Sequence, residues 1–425
     1  MHTNWNGLKR HLAPRAVPVL RPSLLIQAPF VVPFRPLATY LAARKGGATI
    51  PRQFTDRCAR SVRPLPARTG QGNGILNAAN RIDLRSDILT RPTEAMIQAM
   101  TAAARQPQGF GLREDTHVQR LEAEVAELLG MEDALFCPTC TQANQIAINV
   151  HCRPGQRVIT EATSHIVTSE AGAPAALSGV TLMPIPGTAG KLDPGRLSEQ
   201  FGPTDPLRSS VGLVWLENTH VRSGGRVLST DYKNDVARHA RAHGVRVHLD
   251  GARLTNAAVA QEVSLSELAA AADSVSLSLN KGLGAPLGAV LAGCRDFIAK
   301  AETIRQRWGG GWRPAGIVAA AGLAAFEDWP SRLGQDHVRA RMLANGLASL
   351  PRVRLDTNAV ETNLVLVEVE GMSGADVVNR LTDRNVLALA VSDRTVRLAL
   401  YHDIDDASVV AAVDRFEDLI AKECQ

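Results

Sequence analysis

Gly244-Val-Arg-Val-His-Leu-Asp250-Gly-Ala-Arg253 reads as a buried strand that delivers an acid and then an arginine at its carboxyl end. A second run, Ser274-Val-Ser-Leu-Ser-Leu-Asn-Lys281-Gly-Leu-Gly-Ala-Pro286, is again β-rich and delivers a lysine into a glycine-rich turn. Working outward, Gln156–Thr160 and Val211–Leu216 have the same texture, with helical segments such as Asp231–His243 between. Upstream, Val118, Leu121, Val125, Leu128 and Leu129 recur at helical spacing and Gly130 follows as a stop signal. Strands alternating with helices predict an α/β fold whose sheet is parallel or mostly parallel and covered on both faces, with ligands beyond the carboxyl ends of the strands. After about Phe326 a helix over Gln335–Leu347 and strands around Thr362–Val369 and Thr395–Tyr401 predict a smaller α+β C-terminal domain, so that residues 82–325 form the large domain and 326–425 the small one.

At 425 residues and 45% hydrophobic composition the chain can bury a large core. The net charge of +5 is misleading, because residues 1–81 carry thirteen Lys and Arg against the single acid Asp56. The body is therefore slightly acidic and makes no electrostatic claim on nucleic acid. The Arg- and Pro-rich first 81 residues lack any sustained period and read as a disordered extension. Such a composition also suits a mitochondrial transit peptide, but this one is poor in Ser, so the expected location is cytoplasmic, with the mitochondrial matrix as the alternative. Six irregularly spaced cysteines make no disulfide framework, and no uninterrupted apolar stretch is long enough to span a membrane.

An acid and a lysine on successive strand ends are what pyridoxal 5'-phosphate (PLP) requires. The lysine amine forms a Schiff base with the cofactor aldehyde, and the carboxylate keeps the pyridine nitrogen protonated so that the ring accepts electrons. Lys281 and Asp250 fill those roles. Each alone is weak, since a lone Asp at a strand end is more often a cap and a lone Lys more often surface. A phosphate needs backbone N–H donors at a helix start, and Cys137-Pro-Thr139-Cys140-Thr141-Gln-Ala-Asn144 opens such a helix. The Cys137/Cys140 spacing also matches a dithiol motif, but no second pair accompanies it, and no metal is expected. His239 and His243, one turn apart without an acidic partner, read as a solvated face.

With these motifs in view the body resembles the low-specificity L-threonine aldolases, in the aromatic amino acid β-eliminating lyase/threonine aldolase group. The matching stretches are Asp83-Leu-Arg-Ser86-Asp87, Arg91-Pro-Thr, Glu114-Asp115, Ser164-His165-Ile, Glu170-Ala-Gly, Glu217-Asn-Thr-His220, Asp250-Gly-Ala-Arg253, Lys281-Gly-Leu-Gly-Ala-Pro286, Gly309-Gly-Gly-Trp-Arg313 and Val396-Arg397-Leu. The resemblance implies an aspartate aminotransferase-type fold, a PLP cofactor, and a homotetramer built of dimers with shared sites. It further implies that His165 stacks on the cofactor, that Cys140, Thr141 and Asn280 stand around it, and that Arg313 reaches a phosphate across a subunit boundary. Ser86, Arg253 and Arg397 would hold the substrate carboxylate, for which a planar guanidinium offers two parallel donors. Cys140, Ile88 and Asn280 depart from the family's usual Gly, Thr and Ser.

His165 and His220 each follow a strand, where either could act as a base on a substrate hydroxyl; a structural histidine is the plainer reading of each. The implied reaction is cleavage of a β-hydroxy-α-amino acid, L-threonine or L-allo-threonine, to glycine and an aldehyde. The alternatives are a PLP-dependent β-eliminating lyase and a phenylserine-type aldolase; a non-enzymatic binding protein of this fold is disfavoured by the lysine. The expected partner is a small-molecule amino acid, with neither nucleic acid nor membrane.

Overall fold

The computed structural model describes residues 81–421 apart from 108 and 203–205, so the N-terminal extension expected over residues 1–81 lies, but for Arg81, outside the described residues. The central sheet contains strands β2 (Asp133–Cys137), β3 (Arg157–Glu161), β4 (Thr181–Ile185), β5 (Val211–Glu217), β6 (Arg246–Gly251), β7 (Ser274–Ser278) and β8 (Ala289–Gly293), following the short β1 (Ile82–Asp83). Their order across the sheet is β2-β8-β7-β6-β5-β3-β4. The pairs from β7 through β4 are parallel, while β8 runs antiparallel to both β2 and β7. The mostly parallel sheet expected from the sequence is therefore present. Strands β2 and β8 are short apolar runs that periodicity alone does not separate from helix.

Burial explains the strand composition. Every residue of β7 and β8, and all of β6 except Arg246, is buried, which requires cover on both faces and leaves no polar alternation to read. One covering helix is α1 (Thr116–Leu129). Its N-cap Asp115 accepts hydrogen bonds from the His117 and Val118 N–H groups, Val118, Leu121, Val125 and Leu129 are buried, and Gly130 ends it at φ 64°. Each such buried aliphatic side chain contributes roughly 1.5–3 kcal/mol, and the left-handed turn at Gly130 is one that glycine takes without a Cβ penalty.

A second sheet has the order β9-β10-β13-β12, from β9 (Val353–Arg354), β10 (Leu364–Val369), β12 (Leu389–Ala390) and β13 (Val396–Ala399), with antiparallel pairing. Beside it β1 pairs in parallel with β11 (Val386–Leu387), so the start of the described chain packs into the core of its end: Ile82 and Leu84 are buried with Val365, Val386 and Leu398. Helix α4 (Trp329–Ala348) runs between the layers, packing on α3 (Leu254–Gln261) and on α5 (Asp406–Ala421). Its buried face includes Asp336, only 1% exposed, and neither carboxylate oxygen of Asp336 has a hydrogen-bond partner among the described residues. Next to it His337 is also buried, with Nε2 3.2 Å from Asn256 Nδ2. No helix among the described residues is long and apolar enough to cross a membrane.

Candidate active site

Because β3, β5, β6 and β7 are parallel neighbours, their carboxyl ends open on one side, and a cavity of about 210 Å³ lies there. Lys281, Asn280 and Ser278 reach it from the end of β7, Asp250, Ala252 and Arg253 from β6, Glu217, Thr219 and Val221 from β5, and His165 from the turn after β3. Helix α2 (Cys140–His151) contributes Cys140, Thr141 and Asn144, and Ile88 stands near its mouth, 55% exposed. The expected residues Lys281, Asp250, His165, Cys140, Thr141, Arg253 and Asn280 thus converge, although they come from widely separated parts of the chain.

The turn that presents Lys281 closes with a 2.8 Å hydrogen bond from Gly284 N–H to the Lys281 carbonyl. Gly284 sits at φ 78°, and a Cβ at Gly282 would fall 2.6 Å from Leu333 Cδ2, so both glycines are required by conformation or space. The Lys281 ammonium has no hydrogen bond or ion pair among the described residues and is half-buried. Opposite it, Asp250 is buried at 2% exposure; its Oδ2 accepts from Asn144 Nδ2 at 2.9 Å and its Oδ1 from the Ala252 N–H at 3.0 Å. Asn144 Nδ2 also donates to Glu170 Oε1 (2.8 Å), Gln145 Nε2 donates to Glu170 Oε2 (2.6 Å), and Ser276 Oγ donates to Asn144 Oδ1 (2.6 Å). His165 Nδ1 lies 2.9 Å from Glu170 Oε1, and Nε2 has no partner among the described residues. Burial alone would lower the His165 pKa, but the hydrogen bond to Glu170 and the charges of Asp250, Glu170 and Glu217 outweigh it and raise the pKa above the ordinary imidazole value. His165, Glu170 and Asp250 bring ligand atoms within 4.8 Å of one another, yet both Glu170 oxygens are taken by amides and imidazole, so the cluster is a hydrogen-bond network and not an open metal cage.

The residues fit PLP. The Cys140 and Thr141 N–H groups, in the first turn of α2, make no hydrogen bond among the described residues, while Thr139 caps the helix by accepting from Gln142 N–H at 3.1 Å. They are unused donors on the cavity wall, suited to a phosphate. Burial pushes the Cys140 thiol far up, reinforced by the Asp250 charge, so the cysteine in the family's usual glycine position stays protonated.

Four expected residues do not line the cavity. His220 is fully buried, with Nδ1 2.9 Å from Ser223 Oγ and Nε2 3.0 Å from Glu161 Oε2. A carboxylate and a hydroxyl thus face its two ring nitrogens. Arg313 lies over the Phe110 ring at 5.6 Å, away from the cavity of its own chain. Ser86 caps a short 3-10 turn, accepting from Ile88 N–H at 3.3 Å. Arg397 donates from Nη2 to the Arg85 carbonyl at 3.0 Å, and its Nε is buried without a partner. Sequence reasoning missed Asn144, Gln145, Glu170 and Glu217 as site residues. The first two carried a faint signal, being polar beside Ala143, Ile146, Ala147 and Ile148 on the buried face of the helix.

The beta-eliminating lyase family's sequence profile matches residues 83–370. The chain belongs to the beta-eliminating lyase family. Within the family it is similar to low-specificity L-threonine aldolase 1 of Arabidopsis thaliana, at 38% identity over 79% of this chain and 95% of that protein. The low specificity L-threonine aldolase of Escherichia coli K12 is 36% identical over 80% of this chain and all of its own length. Among solved structures, a threonine aldolase of Leishmania major superposes with a TM-score of 0.70 at 20% identity, covering 80% of this chain and 99% of that one, a likeness of fold. The aspartate aminotransferase-type architecture implied by the sequence is thus present, and the beta-eliminating lyase membership makes the chain a lyase.

Proposed function

We propose that this lyase uses PLP to cleave β-hydroxy-α-amino acids, L-threonine and L-allo-threonine among them, into glycine and an aldehyde by scission of the Cα–Cβ bond. The observation that carries the reading is the meeting in one cavity of an unpartnered amine, Lys281, a buried carboxylate, Asp250, and an imidazole, His165, whose Nδ1 is tied to Glu170. Lys281 would hold the cofactor at its aldehyde and Asp250 at its ring nitrogen, with the phosphate on the Cys140 and Thr141 N–H groups. Bound there, PLP supplies the sink for the electron pair left at Cα.

The chain's own residues do the rest. With Nδ1–H donating to Glu170 Oε1, His165 Nε2 is the acceptor, and it takes the β-hydroxyl proton as Cα–Cβ breaks, worth roughly 10²–10⁴-fold in rate. Arg253, on the cavity wall, would bind the substrate carboxylate together with Ser86 and Arg397 and so fix the direction of the scissile bond. Elimination of the β-oxygen asks for the opposite service, a proton delivered to it, so the two reactions require opposite protonation states of His165. Arg313 and the exposed Phe110 and Trp312 suit a face shared with a neighbouring chain in a cytoplasmic homotetramer, where Arg313 would serve the neighbour's phosphate.

The test is product analysis with PLP and a panel of β-hydroxy amino acids. Aldehyde and glycine are expected, with activity lost in Lys281→Ala and borohydride fixing the cofactor on Lys281 in the parent. 2-Oxobutanoate and ammonia from threonine would sink the reading.

A further inference from the structure

The cavity at the strand ends is polar nearly throughout. Lys281, Asp250, Arg253, His165 and Glu217 line it, and among its described lining residues only Ile88 and Val221 are large and apolar. Val221 is 6% exposed and packs with Leu364 and Ala399. Ile88 is 55% exposed, so the open apolar surface of the wall belongs to it.

That surface is held in place. Asp87, the residue before Ile88, has no exposed surface; its Oδ2 accepts from Arg253 Nε at 2.7 Å and its Oδ1 from Arg253 Nη2 at 2.6 Å. The short turn closes with Ser86 Oγ accepting from the Ile88 N–H at 3.3 Å and the Asp87 carbonyl accepting from the Thr90 N–H at 3.2 Å. Branching at Cβ stiffens the Ile88 side chain further. A buried ion pair and a cap thus fix an apolar group at the mouth of the cavity, one residue from the contact to Arg253. A β-hydroxy-α-amino acid brings three polar groups and one that is not. With its amine engaged at the Lys281 end, its carboxylate on Arg253 and its β-hydroxyl at His165, the remaining substituent on Cβ has no polar partner and meets the open apolar surface of Ile88. The methyl group of threonine is too small to cover that surface, whereas a phenyl or isopropyl group covers much of it. Isoleucine, standing where the family usually has Thr, offers neither donor nor acceptor to a polar substituent.

We infer that Ile88 is a specificity-determining residue that favours β-hydroxy-α-amino acids with a bulky apolar β-substituent, such as an aryl group, over threonine. The inference rests on the aldolase reading above. Covering on the order of 50 Å² of apolar surface between a phenyl ring and Ile88 is worth about tenfold in affinity. The contact is the same before and during bond scission, so its loss raises KM more than it lowers kcat.

The experiment uses the PLP-loaded protein, its Ile88→Thr and its Ile88→Val variants, and measures kcat and KM for L-threo-phenylserine and L-threonine. Alongside turnover, the Kd values of L-phenylalanine and L-alanine, which have no β-hydroxyl to cleave, are read from the change in cofactor absorbance. Ile88→Thr is expected to lower kcat/KM for phenylserine about tenfold more than for threonine, chiefly through KM, and to weaken L-phenylalanine about tenfold more than L-alanine. Ile88→Val should fall between parent and Ile88→Thr. Equal changes for the large and the small ligand, as when a neighbouring chain covers Ile88, would overturn the inference, and so would a shift confined to kcat. If Ile88→Thr does not fold, Ile88→Val decides alone: a shift of about two- to fourfold in the same ratios supports the role, and no shift overturns it. Absence of aldehyde from both substrates in the parent would fail the aldolase reading, and the phenylalanine-to-alanine ratio would then still decide the role of Ile88.

Discussion

Replacing Asp336 by Asn should stabilise the protein, and increasingly so as the pH rises. Asp336 is buried on α4 with both oxygens unpartnered. Burial, only partly offset by Arg339 and Arg332 and reinforced by Asp87 and Asp403, pushes its pKa from 3.8 to about 7. An acid whose folded pKa lies above its unfolded value holds its proton more tightly in the native state. Its favourable contribution is present at low pH and is lost as the pH climbs from about 4 to about 7. At about 1.4 kcal/mol per decade the full loss is roughly 4 kcal/mol, of which roughly 2 to 3 kcal/mol falls between pH 5 and pH 8. The Asn side chain keeps the volume and removes the charge; any hydrogen bond its amide lacks is the same at both pH values and drops out of the comparison. Urea unfolding followed by tryptophan fluorescence at pH 5 and pH 8 should therefore show the stability gap between variant and parent widening by that amount. A gap constant to within about 0.5 kcal/mol would mean that Asp336 is ionised at little cost, and the reasoning would fail.

Two further outcomes follow from the site. Glu170→Gln removes the anion that raises the His165 pKa, so the rise of kcat/KM with pH, which tracks loss of the His165 proton, should move to lower pH; an unmoved profile would separate Glu170 from the base. His220→Asn should lower unfolding free energy by about 1–3 kcal/mol by stranding Glu161 and Ser223, with kcat/KM kept within about threefold. A 100-fold loss would return His220 to the chemistry.

The strands that carry the site were legible because their burial and their glycine punctuation are local. The run Ser274–Leu279 predicts the observed Ser274–Ser278, and the acid and lysine at the two strand ends both reach one cavity. Helix α1 was equally legible, with its apolar spacing, Asp115 cap and Gly130 stop each readable within a few residues. What escaped was long-range. Glu170 follows His165 by five residues, but its partners Asn144 and Gln145 lie on another helix, and nothing in the sequence says which acid an amide will meet. Arg253 was legible as a guanidinium at a strand end but not as one already engaged, because Asp87 stands 166 residues away. His220 shows the converse. Its position after a strand is that of a base, and only the packing, which buries it and brings Glu161 and Ser223 against its two nitrogens, keeps it off the cavity wall.

The pairing of β1 with β11 has a bearing on how the protein is made. Ile82 meets Val386, Asp87 meets Arg253, and the Arg85 carbonyl waits for Arg397 across 312 residues. A ribosome moving at about 5–20 residues per second delivers the two halves of that last contact roughly fifteen seconds to a minute apart. The strands of the central sheet, from β2 to β8, have all been synthesised by residue 293, so the nascent chain can assemble the Lys281 turn while Ile82 and Leu84 still lack the core that will cover them. Such distant contacts also slow the final search, since their loop entropy must be lost before they are rewarded. The clasp between the Arg85 carbonyl and Arg397 is thus among the last contacts the growing chain acquires.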